Sequence, residues 1–401
     1  MNFEKNECGK ITVSMPMSIF PPLYGGQLRI YHLYRYLAQW FDIELVTYVS
    51  HHKAQVRKEI APGLWEIQVP LSQKHMEKQH ILNVMAGRYV GDSTLHKFYH
   101  LSPDYINALE ESSKDADVVI VSHPYTYYVV KEVGVRKIWY DAHNVEYELK
   151  KSIYEDTPML NEILQELKQM EKECCENSQL IMACSEEDKD KFVKMYGITP
   201  EKICIVPNGV DIRSKKCIFP SQRKEFKKKI RNDYEYVAVF IGSNHPPNII
   251  AVQEILKLAK ELVDTEFIII GSVAEAFKEV PIPMNVRMTG LIEEEEKDYI
   301  LSYADMALNP MPYGSGTHLK MIEYFSMGLP VISTKVGTRG LEVQDHKHLL
   351  ICELDEFKET IKRFESYSDE QKIEMITRAR EHVISQFDWS MIAKRLINHI
   401  Q

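Results

Sequence analysis

At 401 residues the chain has room for about two domains of ordinary size, and its 44% apolar and 27% charged content is that of a globular protein able to bury large cores. A formal net charge of -9 excludes the basic footprint of a general nucleic-acid binder. The seven cysteines contain no C-x-x-C pair, and the sequence shows neither a signal-peptide pattern nor the roughly eighteen apolar residues of a membrane span. The expectation is therefore free thiols in a reducing cytoplasm, without zinc or disulfides.

Seven short apolar runs mark the first half: "ITVSMP" from Ile11, "IELVTYV" from Ile43, "EIQVP" from Glu66, "DVVIVSH" from Asp117, "KIWYDAH" from Lys137, "SQLIMACS" from Ser178 and "KICIVPNG" from Lys202. Most are β-branched and unbroken rather than alternating, as strands buried on both faces of a parallel sheet are. Helical spacing lies between them. "GQLRIYHLYRYLAQW" sets Leu28, Tyr31, Tyr34, Leu37 and Ala38 on one face, and "SPDYINALEE" begins with Ser102 at an N-cap and Pro103 at the first helical position. The section from about Gln73 to Asp104 reads as the least regular, and its basic and aromatic content marks it as the candidate acceptor or membrane contact.

After "VPNGVDI" the pattern restarts with six more strands, "YVAVFIGS", "EFIIIGS", "NVRMTG", "DMALNP", "PVIST" and "HLLIC". Alternating strands and helices predict an α/β protein of two Rossmann-like, doubly wound parallel-sheet domains, 1–208 and 209–384, with Pro-Asn-Gly as a hinge. The basic run "KKCIFPSQRKEFKKKIR" reads as a solvated helix. Residues 385–401 form an amphipathic helix through Trp389, Ile392, Leu396, Ile397 and Ile400, expected to pack back across the first domain.

Open sheets of this kind bind ligands at the carboxyl ends of their strands, so the loops there carry the candidates. Gly25 and Gly26 open a helix and let backbone amides approach a phosphate or a sugar oxygen; a tight turn explains them equally well. His143 follows a strand end, flanked by Asp141 and Asn144; alone it reads as a histidine satisfying a carbonyl, and His123 has less support still. Gly242, Ser243, Asn244 and His245 close the first strand of the second domain, with Pro246 and Pro247 expected to extend the loop. Gly314, Ser315 and Gly316 lead into a helix whose first turn holds Thr317, His318, Leu319 and Lys320. A cation in a first turn opposes the helix dipole, and a bound polyanion reverses that penalty. Glu323, one turn on, is placed to accept from a ribose diol; the alternative is a solvated i,i+3 pair with Lys320. Asp188 and Asp190 follow Ser185 in a helix opening and read as surface carboxylates rather than metal ligands.

With these residues the sequence resembles the retaining glycosyltransferases of the GT-B fold, family four (glycosyl transferases group 1), in the subgroup with a GSGTxLK donor loop. The resemblance spans nearly the whole chain, in "YDAHNVEYE", "VPNGVD", "GSNHPPN" and above all "GSGTHLKMIEYFSMGLPVISTKVGTRGLE". It implies transfer of a sugar from a nucleoside diphosphate sugar to a glycan, lipid-linked or protein acceptor with retained anomeric configuration, needing no metal and no cofactor. It implies that Glu323 grips the ribose. Gly316, Thr317, His318 and Leu319 hold the diphosphate with Gly25, Gly26, Ser243 and His245, and Gly314 and Ser315 meet the donor sugar. His143 lies by the reacting centre, and Lys320 stabilises the leaving diphosphate. Two departures stand out: Ser315 occupies the place of the first Glu of the Glu-x7-Glu motif, and "SNHPPN" replaces the usual Arg and Lys. A non-catalytic sugar-nucleotide-binding protein, and a GT-B epimerase or pyridoxal-type phosphorylase, are the competing readings.

Overall fold

The computed structural model describes residues 9–50, 54–212, 215–313 and 319–400, the last without its side chain. The candidates Gly314, Ser315, Gly316, Thr317 and His318 lie outside the described residues. The chain divides into two compact units, the first running to Pro207 and taking in the chain from Ile392, the second spanning Asn208–Met391.

The first unit is built on β1 (Gly9–Met15), β2 (Phe41–Val49), β3 (Val56–Ala61), β4 (Leu64–Pro70), β5 (Val118–Ser122), β6 (Ile138–Ala142), β7 (Leu180–Ala183) and β8 (Ile203–Ile205). They form one sheet in the order β3-β4-β2-β1-β5-β6-β7-β8, parallel except for the antiparallel β3–β4 pair. The strand β3, "VRKEIA", is absent from the sequence reading because it is a charged, largely exposed edge strand, a pattern that blunts sheet edges. The helices are α1 (Gly25–Leu37), α2 (Gln73–Met85), α3 (Gly91–Phe98), α4 (Pro103–Ser113), α5 (Tyr127–Val133), α6 (Glu146–Ile153), α7 (Pro158–Asn177) and α8 (Glu186–Tyr196).

Three sequence readings change. The section after Gln73 is regular, forming α2 and α3. The buried face of α1 is Arg29, Ile30, Leu33, Tyr34 and Leu37, whereas Leu28 is exposed. Ser102 does precede α4, but its hydroxyl caps nothing there; it accepts from the Ser72 amide at 3.0 Å and lies 3.0 Å from His75 Nδ1.

The second unit contains β9 (Tyr236–Ile241), β10 (Thr265–Ile270), β11 (Val286–Gly290), β12 (Met306–Asn309), β13 (Val331–Ser333) and β14 (Leu350–Ile351), parallel throughout in the order β11-β10-β9-β12-β13-β14. Around it lie α9 (Pro220–Lys229), α10 (Pro246–Glu261), α11 (Glu294–Tyr303), α12 (Leu319–Ser326), α13 (Phe357–Glu365), α14 (Asp369–Phe387) and the start of α15 (Trp389–Ile400). Pro246 and Pro247 do not extend their loop; they open α10, because a missing N–H costs nothing in a helix's first turn. The basic helix α9 is not wholly solvated. Its Arg223 is buried and donates to the carbonyls of Ile218, Leu301, Ala304, Met327 and Gly328, satisfying the ends of α11 and α12 together. Gly328 then turns the chain away at φ 66°, the left-handed conformation that ends many helices.

In both sheets the strand order reverses at one point, beside β1 and β5 in the first and beside β9 and β12 in the second. Those points locate the sites.

Candidate functional site

In the first unit the loop after β1 leads into α1, whose first residues are Gly25 and Gly26. The first amides of a helix have no partner within it, and glycine leaves them approachable. A Cβ placed on Gly26 would lie 3.4 Å from His143 Nδ1, so the structure brings Gly26 and His143 together.

His143 follows β6 and is buried. Its Nε2 lies 3.1 Å from Ser122 Oγ and 3.6 Å from Asp141 Oδ2. Asp141 is fully buried beside Arg29, whose Nη2 reaches Oδ1 at 2.8 Å while Nη1 donates to the Val206 carbonyl at 2.7 Å. Burial opposes the Asp141 charge, but Arg29 and His143 overcome it and hold its carboxyl well below the usual range. An ionised Asp141 favours the tautomer with its proton on Nε2, which leaves Nδ1 as an acceptor facing the glycine loop. Burial, with His123 alongside, pushes the His143 imidazole down to about 4, so it is neutral near pH 7.

The sequence reading gave His123 almost no weight, yet its ring centroid lies 4.1 Å from that of His143. Its Nδ1 meets Glu146 Oε1 at 3.1 Å, and the same carboxylate accepts from Tyr125 Oη at 2.6 Å and Asn144 Nδ2 at 3.2 Å. Burial opposes ionisation of Glu146, and these bonds outweigh it, bringing its carboxyl down to about 2. Glu171 of α7 holds the start of α6 by accepting from the amides of Glu146 and Tyr147 at 2.7 and 3.1 Å. These acids are spread across 31 residues of sequence and carry no spacing signal.

In the second unit the loop after β9 presents Ser243 and His245 exposed, with His245 at the N-cap of α10. Asn248, on the first turn of α10 and unnoticed in the sequence, donates from Nδ2 to the Ser243 carbonyl at 3.1 Å and accepts Lys320 Nζ at 2.9 Å. Lys320 also lies 4.1 Å from the Phe240 ring centroid. Among the described residues no carboxylate pairs with it, and burial pushes its ammonium down to about 7. Leu319 opens α12 with an exposed side chain.

Glu323 does not pair with Lys320. It meets Lys297 at 2.8 Å and Lys215 at 3.4 Å. The two lysines also meet Glu294 and Asp298. The carboxylates of Glu294, Asp298 and Glu323 come within 4.8 Å of one another, but the two ammonium groups already counter their charge. Asp188 and Asp190 lie on α8, 3.7 Å from Lys191 and Lys194 respectively, and Ser185 caps that helix through the Asp188 amide at 3.1 Å. A cavity of about 420 Å³ opens at the amino ends of β9 and β12, the opposite edge from Lys320; its Lys224 and Lys227 are paired with Asp369 and Asp305.

Residues 24–214 match the Glycosyltransferase Family 4 family, and residues 235–366 match Glycosyl transferases group 1. The chain is a GT-B glycosyltransferase. Solved structures agree on the fold of this glycosyltransferase across its length. Sucrose-phosphate synthase from Thermosynechococcus elongatus is similar at a TM-score of 0.72 and 14% identity, covering 98% of each chain. Anabaena HepE in complex with UDP is similar at 0.66 and 12% identity, covering 98% of this chain and 99% of HepE. Its complex with UDP-glucose gives 0.65 and 13%, covering 97% and 99%. No curated protein matches at the sequence level. Among the described residues, no helix is long and apolar enough to cross a membrane.

Proposed function

We propose that this glycosyltransferase moves a sugar from a nucleoside diphosphate sugar to an acceptor hydroxyl with retention of anomeric configuration. The observation that carries the reading is Lys320, a part-buried cation at the switch point of the second sheet with only neutral partners among the described residues. Burying a charge without a counter-charge is costly, and an incoming diphosphate offsets that cost. Glu323 takes the ribose hydroxyls, and Ser243, His245 and the first amides of α12 join Lys320 on the diphosphate. Gly25 and Gly26 face the diphosphate and the donor sugar, and the acceptor nitrogen of His143 takes the sugar. HepE, similar in fold, is known in complex with UDP and UDP-glucose, which supports a donor of that class.

Chemically, the protein's work is positioning and charge stabilisation. Lys320 donates to the leaving diphosphate as negative charge grows there. The diphosphate in turn takes the acceptor proton, so no covalent intermediate on the enzyme is needed. The acceptor is a glycan, a lipid-linked sugar or a protein, and the reaction is cytoplasmic and independent of metal. A thermal-shift series with UDP-glucose, UDP-N-acetylglucosamine and GDP-mannose tests the donor. Stabilisation by at least one, followed by nucleotide release on turnover, is expected. Stabilisation with no release, even with acceptors supplied, would instead support a non-catalytic sugar-nucleotide-binding protein. NMR of the product's anomeric proton reads retention directly.

A further inference from the structure

We propose that His123 is a second imidazole contacting the donor sugar, beside His143, and that the chain holds its backbone in a strained conformation to put it there. The proposal rests on the donor reading above. His123 is the first residue after β5, and β5 and β1 flank the reversal of strand order. It therefore sits at the same switch point as the loop of Gly25 and Gly26.

Its backbone lies at φ 62° and ψ 148°, a region that glycine enters freely and a residue with a Cβ does not. Such a residue persists only where its surroundings overdetermine it, and such residues gather at functional sites. The surroundings here are specific. Glu146 accepts from Nδ1 at 3.1 Å, and Tyr125 and Asn144 fix that carboxylate in turn. The ring is tilted 42° to that of His143 at 4.1 Å. With Nδ1 engaged, Nε2 is the nitrogen left over, and no hydrogen bond reaches it from the described residues. A purely structural residue after β5 would need neither the strain nor the dyad, since glycine in its place relaxes the chain.

Each imidazole thus keeps one ring nitrogen for a ligand: Nδ1 of His143 and Nε2 of His123. His143 is neutral near pH 7 and so lacks the charge of a phosphate site. Two such nitrogens, on rings whose centroids lie 4.1 Å apart, suit two hydroxyls of one sugar ring. Glu146 acts through His123 and is a positioning residue.

The test uses the full chain and calorimetric titration with UDP, GDP, UDP-glucose, UDP-N-acetylglucosamine and GDP-mannose. The best-binding sugar nucleotide is compared with its free nucleoside diphosphate. In His123→Ala and His123→Gly the free diphosphate should bind within about twofold of wild type, while the affinity ratio moves against the sugar nucleotide by about tenfold or more. His123→Gly should melt above His123→Ala, since both lose the ring and only glycine relieves the backbone. Glu146→Gln, whose amide oxygen can still accept from Nδ1, should retain the wild-type ratio, and Glu146→Ala should resemble His123→Ala. An unchanged ratio in both His123 variants overturns the proposal. Equal melting of the two overturns the strain. A wild type that binds none of the probes overturns the donor reading itself, before any variant is made.

Discussion

The two switch points handle buried charge in opposite ways. At the first, the two buried carboxylates beside the histidines are answered: Asp141 by Arg29, and Glu146 by His123, Tyr125 and Asn144. In the second, Lys320 is part-buried against an amide oxygen and an aromatic face, with no carboxylate pairing it among the described residues. A closed network orients a neutral ligand without competing for its charge. An unanswered cation is poised to receive an anion. The contrast supports, on electrostatic grounds, the proposed roles of His143 toward a sugar and of Lys320 toward a diphosphate.

Substitution can break this contrast, and the largest effect should fall on the answered charge. Arg29→Met strands Asp141 in the core and should cost about 3–5 kcal/mol in urea unfolding. That cost should shrink on acidification, as Asp141 takes a proton. Lys320→Met should do the reverse: stability held or raised, with turnover down about 100- to 1,000-fold, the scale for a lost charge-stabilising donor. Wild-type stability should also carry a Lys320 signature. Its folded value, about 7, lies below the ordinary lysine value of 10.5, so between them the unfolded chain binds more protons and stability rises with pH. Lys320→Met should lack that rise.

His143→Gln should lower turnover about 10- to 100-fold while free nucleoside diphosphate still binds, read as separate kinetic and calorimetric changes. Its folded value, about 4, lies below the ordinary histidine value of 6.5, so wild-type stability gains from this group as pH rises from 4 to 6.5. The smallest effect belongs to Asp190→Ala, within about 0.5 kcal/mol in thermal unfolding and neutral for turnover.

Strand runs and motif order made the fold legible in the sequence, because parallel strands buried on both faces read as unbroken apolar segments. The edge strand β3 escaped for the same reason, being charged and half in solvent. Lys320 was legible because a cation in a helix's first turn violates a local rule. Its partner Asn248 was not, since it lies 72 residues away and looks like any helix-opening asparagine. The alternative weighed for Glu323, a pair with its helix neighbour Lys320, gives way because the fold supplies Lys297 of α11. His123 was passed over because what singles it out is a backbone angle and a ring 4.1 Å away, neither written in residue type. Arg29, which no sequence motif singled out, is buried against Asp141, 112 residues on, as its counter-charge.

The central claim is that Lys320 is an anion receptor kept short of charge until the donor arrives. Calorimetric titration of the full chain with the best-binding nucleoside diphosphate sugar, at about pH 6 and about pH 9, tests it most directly. Lys320 titrates near 7 in the free protein, so wild-type affinity should fall by about tenfold or more at the higher pH, while Lys320→Met binds weakly and equally at both. Equal wild-type affinity at the two pH values, or a Lys320→Met variant with the same fall, would contradict it.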